Sequence, residues 1–173
     1  GTKVAGYRGY YLKNEGALLV VGLMAYALQK MAAKGFLPMI PPTLIKEFPL
    51  FGSGYFSGTA YDPEKDEIYR LGTSEKESDG KVNREEKFLV GTAEPSLLAY
   101  YAGEVIEKTD LPLRLSGFSQ CYRSEIGSYG RDTKGLYRVH EFFKVEQVVL
   151  CAADTKEADV LQAEMLAISE EMH

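Results

Sequence analysis

The stretch that decides the fold runs from Tyr122 to Glu146 and reads YRSEIGSYGRDTKGLYRVHEFFKVE. It consists of two strand-like runs joined by a glycine-rich, charged loop. Successive side chains of a strand point to opposite faces, so a period of two divides the second run into two sets. One set is Arg138, His140, Phe142, Lys144 and Glu146, and the other is Tyr137, Val139, Phe143, Val145 and Val149. We therefore predict that the second set packs in the core and the first forms a site.

The first run extends the same platform. By the same rule Arg123 and Glu125 share a face, and a hairpin through Gly127–Gly135 would bring two arginines, two glutamates and an aromatic ring together. Arginine presents a planar fork that matches phosphate or carboxylate. Phenylalanine offers a surface for a base, and glutamate accepts from an amine. The platform suits a purine nucleotide and a small zwitterion, although the residues alone also permit a ribbon with ordinary Arg–Glu pairs on its solvent face.

Read in order, these residues resemble motif 2 of the class II aminoacyl-tRNA synthetases. That motif needs an aromatic residue, an arginine and an acidic residue, here Tyr122, Arg123 and Glu125. The continuation to Gln147 resembles the seryl-tRNA synthetase family, because threonyl, prolyl and histidyl relatives lack the pattern of His140, Phe142, Lys144 and Glu146. Upstream, the segment 91–94 (GTAE) is similar to the serine-recognition loop, and 35–42 is similar to motif 1. The resemblance covers nearly the whole chain.

The resemblance implies an ATP site with a role for each residue. Arg123 would contact the α-phosphate of ATP and the serine carboxylate, and Arg138 would hold the γ-phosphate; these two are the implied catalytic residues. Glu125 would accept from the adenine amino group, and Phe142 would stack on the adenine. The implied ATP-binding set is Arg123, Ser124, Glu125, Arg138, Val139 and Phe142, with the backbone near Val139 framing the base.

The resemblance also implies a serine site and a reaction. Thr92 and Glu146 would hold the ammonium and hydroxyl region of serine, with Glu94 close by, and the implied serine-binding set is Thr92, Ala93, Glu94, Arg123 and Glu146. The serine carboxylate would attack the α-phosphorus, giving seryl-adenylate and pyrophosphate, before transfer to the terminal ribose of tRNA(Ser). Positioning and charge stabilisation by arginines and the Mg²⁺ of the ATP complex suffice for such a step.

Composition bounds the remaining functions. A chain of 173 residues with 45% hydrophobic content can bury a core, and a net charge of −5 argues against a generally basic nucleic-acid surface. Any RNA contact must be local, and the best candidates are Arg131 and Lys134 with Arg138 behind them. Two cysteines and two histidines are too few for a disulfide framework or a structural zinc site, so we expect no metal centre in the chain. Cys121 is predicted to be a packing residue.

The order of elements predicts an α+β fold, a mostly antiparallel sheet flanked by helices. Residues 1–173 are expected to be a partial aminoacylation catalytic domain, with motif 1 at about 35–42, the serine loop at 91–94 and motif 2 at about 114–149. Three helices are predicted, at Leu12–Lys34, Glu94–Ile106 and Thr155–Met172; Gly35 is expected to end the first and Asp154 to begin the third. Strands are predicted at Phe36–Ile40, Asp66–Leu71 and Phe88–Val90. The polar run Gly72–Lys87 is expected to be a mobile loop or flap.

The long apolar helix has two possible partners. An ordinary core helix fits the residues, whereas the resemblance implies burial in a homodimer interface through motif 1. The longest apolar stretch, Ala17–Leu28, is interrupted by Gly22 and too short for a membrane span, so a cytoplasmic protein without membrane contact is expected.

The chain begins with Gly1 and stops at His173 inside a helical pattern, so we expect an excised segment. Relative to the family it lacks the N-terminal coiled-coil arm and motif 3, and we expect it to bind ATP weakly and to be nearly inactive alone. Two alternatives remain: a paralogue that keeps the platform as a nucleotide-binding regulatory module, and a ligase that loads serine onto a carrier protein. The intact set of Arg123, Glu125, Arg138, Phe142 and Glu146 argues against the first, and a coiled coil upstream would argue against the second.

Overall fold

A computed structural model of the chain describes residues 1–56, 58, 60–72, 75–76, 79–83, 86–126 and 135–172. The helices are α1 (Thr2–Ala5), α2 (Glu15–Ala33), α3 (Phe48–Gly52), α4 (Glu94–Ala99) and α5 (Thr155–Glu170). The strands are β1 (Leu37–Met39), β2 (Leu44–Ile45), β3 (Tyr69–Leu71), β4 (Glu75–Lys76), β5 (Val82–Asn83), β6 (Lys87–Leu89), β7 (Leu113–Tyr122) and β8 (Glu141–Leu150). Short 3₁₀ turns lie at Lys108–Asp110 and Gly135–Tyr137.

The main sheet is built on the long antiparallel pair of β7 and β8. Their ten residues pair in one continuous register, from Leu113 opposite Leu150 to Tyr122 opposite Glu141. Strand β1 joins the other edge of β7 in a parallel direction. A second sheet of β2, β6 and β3 and the β4–β5 pair are antiparallel. The predicted α+β class with a mostly antiparallel sheet is therefore confirmed.

The two faces of the β7–β8 pair pack against different helices. On one face Val145 and Val149 contact a cluster of Met31, Phe36 and Ile168 from α2, the segment after it and α5. On the other face Leu115 and Val148 pack with residues of the segment that opens and forms α4, namely Ala93 and Leu97. Within β8 the period-two pattern was correct for Val145 and Val149 but wrong for Phe143, which is 39% exposed. Val148, on the predicted site face, is buried instead, because both faces of the pair are covered by helices.

The sequence pattern failed where the chain leaves the strands. Strand β8 begins at Glu141, so Arg138 and His140 are not strand residues, and Tyr137 lies in a 3₁₀ turn with 95% of its surface exposed rather than in the core. Strand β7 ends at Tyr122, and Glu125 has a φ of +57°, which is outside the extended region. Alternation holds only for extended backbone, so the predicted shared face of Arg123 and Glu125 was wrong, although both reach the same site.

Other elements are shorter than predicted. Helix α4 ends at Ala99 rather than Ile106, and the turns that follow it reach Gly103, whose φ is +79°. The strand predicted from Asp66 begins at Tyr69, because Asp66 closes a turn in which its carboxylate accepts from the Asp62 N–H at 2.7 Å. The predicted polar loop at Gly72–Lys87 contains the short β4–β5 pair, while residues 73–74, 77–78 and 84–85 lie outside the described residues. Residues 127–134 also lie outside the described residues, and they include Arg131 and Lys134, the predicted candidates for a local RNA contact.

Signals at two helix ends were interpreted correctly. Gly35, with a φ of +86°, follows α2, and Asp154 caps α5 by accepting from the N–H groups of Lys156 and Glu157. The expectation that no segment is long enough to span a membrane considered only the stretch Ala17–Leu28 and missed the full length of the helix. Helix α2 has 19 residues and is long and apolar enough to cross a membrane by length and composition, a test that the core helix of a soluble protein also passes.

Close packing between β7 and α4 generates the first prediction. A Cβ atom at Gly117 would lie 2.9 Å from Leu97 Cδ1 and 3.1 Å from Ala93 Cβ, which is too close for ordinary contact. We expect Gly117→Ala to lower the free energy of unfolding by about 1–3 kcal/mol, measured by urea unfolding followed by circular dichroism. The control is Gly22→Ala in α2, where a Cβ meets no atom within 4 Å and helix propensity predicts no loss. Equal effects of the two substitutions would contradict this packing.

Candidate functional site

The predicted site residues gather beside the ends of β7 and β8 where the two strands meet the segment between β6 and α4. Phe142, Lys144 and Glu146 point to one face of the sheet, opposite Cys121, Ser119 and Gly117 of β7, respectively. The N–H of Tyr122 donates to the Val90 carbonyl at 2.8 Å, which fixes the segment 91–94 against the end of β7. Residues distant in sequence are thereby brought to one surface.

Arg123 is held from three directions. Its N–H donates to the His140 carbonyl at 2.9 Å, and the His140 Nδ1 lies 2.9 Å from the Arg123 carbonyl oxygen. Its side-chain Nε donates to the Gly91 carbonyl at 3.0 Å. The guanidinium carbon lies 5.3 Å from the centre of the Phe142 ring. The cation and the aromatic surface that the sequence predicted for phosphate and base therefore stand side by side.

Tyr55 belongs to this site and was not predicted from the sequence. A Cβ atom at Gly91 would lie 1.9 Å from the Tyr55 hydroxyl, so only glycine permits this approach without a shift. Burial raises the pKa of Tyr55, and the opposing effect of the Arg123 guanidinium, which is charged and hydrogen-bonded to the hydroxyl, is smaller. The one sequence signal was the glycine that precedes Thr92.

Glu125 is the centre of a buried ionic cluster. Its side chain is only 4% exposed, Arg138 Nε donates to its Oε2, and Arg8 Nη1 lies 3.7 Å from the same oxygen. Arg138 also approaches Glu67, with 3.9 Å between Nη2 and Oε1. Buried charges require such compensation. The structure thus joins Glu125 and Arg138 as predicted and adds Arg8 and Glu67, whose contacts span too much sequence to be predicted from spacing.

A second cluster joins Thr92, Lys144 and Glu146. The Thr92 hydroxyl donates to Glu146 Oε2, and Lys144 Nζ donates to the same hydroxyl at 2.6 Å while pairing with Glu146. Thr92 is 6% exposed, whereas the side chains of Lys144 and Glu146 are 30% and 23% exposed. The hydroxyl and carboxylate predicted for serine are therefore adjacent. Lys144 was predicted to lie on the site face with Phe142 and Glu146, but it was given no role in binding.

The other predicted residues contribute in different ways. Ala93 is fully buried in the core, so only its backbone can face a ligand, and Glu94 is exposed in the first turn of α4. The Ser124 N–H donates to the Glu67 carbonyl at 3.4 Å, and its hydroxyl oxygen is buried without a hydrogen-bond partner among the described residues. Val139 lines a cavity of about 220 Å³ beside the N-terminal segment.

Cys121 lies under the site as a packing residue. Cys121 is fully buried as predicted, and burial raises the pKa of its thiol. Within the described ranges no three or more His, Cys, Asp or Glu residues are grouped as a metal site requires.

The second prediction tests the Thr92–Lys144–Glu146 cluster. A double-mutant cycle of Lys144→Met and Glu146→Gln should give a coupling free energy of about 0.5–2 kcal/mol in urea unfolding, because the pair shares the buried Thr92 hydroxyl. The control cycle uses the exposed pair of Lys65 and Asp62, which are 2.7 Å apart, and should give a smaller coupling. A coupling for Lys144 and Glu146 no larger than that of the control pair would contradict a cooperative cluster.

Comparison with known proteins gives a consistent result. Residues 75–172 match the family described as tRNA synthetase class II core domain (G, H, P, S and T). The serine–tRNA ligase of Mycobacterium ulcerans (strain Agy99) is 43% identical over 172 residues, which cover 96% of this chain and 37% of the relative. That of Corynebacterium efficiens is 38% identical over 172 residues, covering 99% and 37%. The chain thus spans little more than a third of the length of these relatives.

Solved structures agree with these relatives. The cytoplasmic serine–tRNA ligase from Naegleria fowleri in complex with AMP matches with a TM-score of 0.81 and 31% identity over 99% of this chain and 36% of that chain. The seryl-tRNA synthetase from Pyrococcus horikoshii complexed with ATP matches with a TM-score of 0.78 and 35% identity over 99% and 34%.

Proposed function

The chain belongs to the class II tRNA synthetase core-domain family, and we propose that it is part of the catalytic domain of a serine–tRNA ligase. The complete protein would activate serine with ATP and transfer it to tRNA(Ser). The observation that carries this proposal is the position of Arg123, whose guanidinium lies beside Phe142 and is fixed to the carbonyl of Gly91, next to Thr92. One arginine thus stands between a surface for a base and a pocket for an amino acid.

The proposed ATP site uses the groups around Arg123. Its planar fork binds the α-phosphate and the serine carboxylate and stabilises the charge that develops when they react. Phe142 stacks on the adenine, Glu125 accepts from its amino group, and Ser124 and the backbone of Val139 border the base. Arg138 binds the γ-phosphate, which requires it to exchange the carboxylate of Glu125 for a phosphate. Mg²⁺ enters with ATP as part of the substrate.

The proposed serine site has one internal competitor. Thr92 and Glu146 receive the ammonium and the hydroxyl of serine, with the backbone of Ala93 and the carboxylate of Glu94 nearby. Lys144 Nζ already lies 2.6 Å from the Thr92 hydroxyl and pairs with Glu146. A substrate ammonium must therefore take over contacts that the lysine ammonium makes in this structure, and only a ligand whose hydroxyl also bonds there offsets that exchange.

The proposed partners follow from the same family. Residues 1–173 form part of the aminoacylation domain, with motif 1 at about 35–42, the serine loop at 91–94 and motif 2 at about 114–149. Helix α2 presents apolar side chains at Leu18, Leu19 and Leu23 that are 73%, 70% and 50% exposed, which supports burial against a second copy in a cytoplasmic homodimer. The acceptor is tRNA(Ser), and transfer of labelled serine to tRNA rather than to a carrier protein tests that choice.

The third prediction concerns substrate choice. The complete protein should exchange labelled pyrophosphate into ATP when serine is present, because Thr92 and Glu146 bond its hydroxyl. Alanine, which lacks that group, should leave the polar pair unsatisfied and support exchange at least about a hundredfold less well in kcat/KM. Alanine or threonine supporting exchange as well as serine does would overturn the proposal.

The fourth prediction concerns Arg123. In the complete protein Arg123→Ala should lower kcat/KM for pyrophosphate exchange by a factor that corresponds to a loss of about 2–4 kcal/mol of transition-state stabilisation. Arg123→Lys should not restore it, because a point charge cannot reproduce the fork. The control is Arg114→Ala, at the other end of β7 and paired with Glu164 at 2.7 Å, which should retain activity. An active lysine variant would refute the role of the fork.

A further inference from the structure

The N-terminal segment reaches the nucleotide end of the site through Arg8. This residue precedes α2 and is therefore far from Glu125 in sequence, because β1 and β7 of the main sheet lie between them along the chain. Its side chain is nevertheless only 6% exposed, and Nη1 lies 3.7 Å from Glu125 Oε2. A guanidinium and a carboxylate that are both this deeply buried are costly to desolvate, so removing either one would leave the other charge poorly compensated.

Both partners of this ion pair have an unusual backbone. Arg8 has a φ of +67° and Glu125 a φ of +57°, in the left-handed region that residues with a side chain seldom adopt. Strained residues persist only where the surrounding structure holds them, and they cluster at functional sites. The positive φ of both members of this ion pair is an observation independent of their burial.

The segment also shapes the space beside the predicted purine position. Arg8, Gly9 and Tyr10 line a cavity of about 220 Å³ together with Gly135 and Val139. Val139 is the residue whose backbone is proposed to frame the base. The N-terminal segment and the turn that precedes β8 therefore form the walls of this cavity together.

We propose that Arg8 is a positioning residue for purine recognition, resting on the proposed function. It holds the Glu125 carboxylate where the 6-amino group of adenine donates to it. When Arg138 turns from Glu125 to a phosphate, Arg8 remains to compensate the buried carboxylate. The segment before α2 is thereby part of the ATP site and contributes to the choice of adenine.

The experiment compares two nucleotides with one variant. The complete protein is titrated by calorimetry with ATP·Mg²⁺ and with purine riboside triphosphate·Mg²⁺, which lacks the 6-amino group. In the unmodified protein ATP should bind more tightly. Arg8→Gln should weaken ATP about tenfold or more and the analogue less than about threefold, because only the amino group uses the positioned carboxylate. Lys3→Gln, an exposed residue of the same segment, is the matched control and should change neither.

The outcomes separate this role from a structural one. Equal weakening of both nucleotides by Arg8→Gln, or no change in either, would overturn the proposal. If circular dichroism shows that Arg8→Gln does not fold, the titrations are repeated with Arg8→Lys, which retains the charge but not the planar group. The same selective weakening of ATP binding is then expected. Because the titrations contain no serine, absence of serine-dependent exchange would overturn the proposed function while leaving this inference to its own test.

Discussion

The continuous antiparallel pairing of β7 and β8 is the constraint on which the site depends. Its register fixes Phe142, Lys144 and Glu146 on one face and places Tyr122 opposite Glu141 at the open end. From that end the backbone of Arg123 bonds to His140, so the chain remains paired for one step beyond the strands. A shift of one residue would exchange the side chains of the two faces of the pair, because the period of side chains is two.

Charge compensation organises the surface that this pairing creates. The carboxylate of Glu125 lies near Arg8 and Arg138, and that of Glu146 pairs with Lys144. A ligand with phosphates and an ammonium can enter only by replacing some of these partners with its own charged groups. Such exchange keeps buried charges compensated before and after binding, and it favours ligands that supply every group in the right place.

The sequence could predict the parts of the fold that follow from local pattern. Alternation identified Val145 and Val149 of β8 as packing residues but not Val148, Gly35 marked the end of α2, and Asp154 marked the start of α5. It could also nominate the residues of motif 2, but only through their resemblance to the synthetase family, because the residues alone also permit ordinary Arg–Glu pairs on a solvent face. Helix α4 was predicted to be too long because the predicted span continued past Gly103, whose φ of +79° lies in the turns that follow the helix end at Ala99.

What the sequence could not predict depends on backbone departures and on distant contacts. The positive φ of Glu125 and the 3₁₀ turn at Gly135–Tyr137 bring Arg138 to Glu125 by a route that alternation does not describe. Tyr55 and Arg8 reach the site from segments far away in sequence, and only tertiary structure reveals their contacts. These missed residues surround the predicted ones, which indicates that motifs locate a site while the fold completes it.

The most direct test of this account is a crystal structure of the complete protein with a non-hydrolysable seryl-adenylate analogue. The account predicts the adenine ring against Phe142, the acyl-phosphate mimic on the guanidinium of Arg123, and the seryl group at Thr92 and Glu146. An analogue bound elsewhere, or bound here with its seryl group directed away from Thr92, would contradict it.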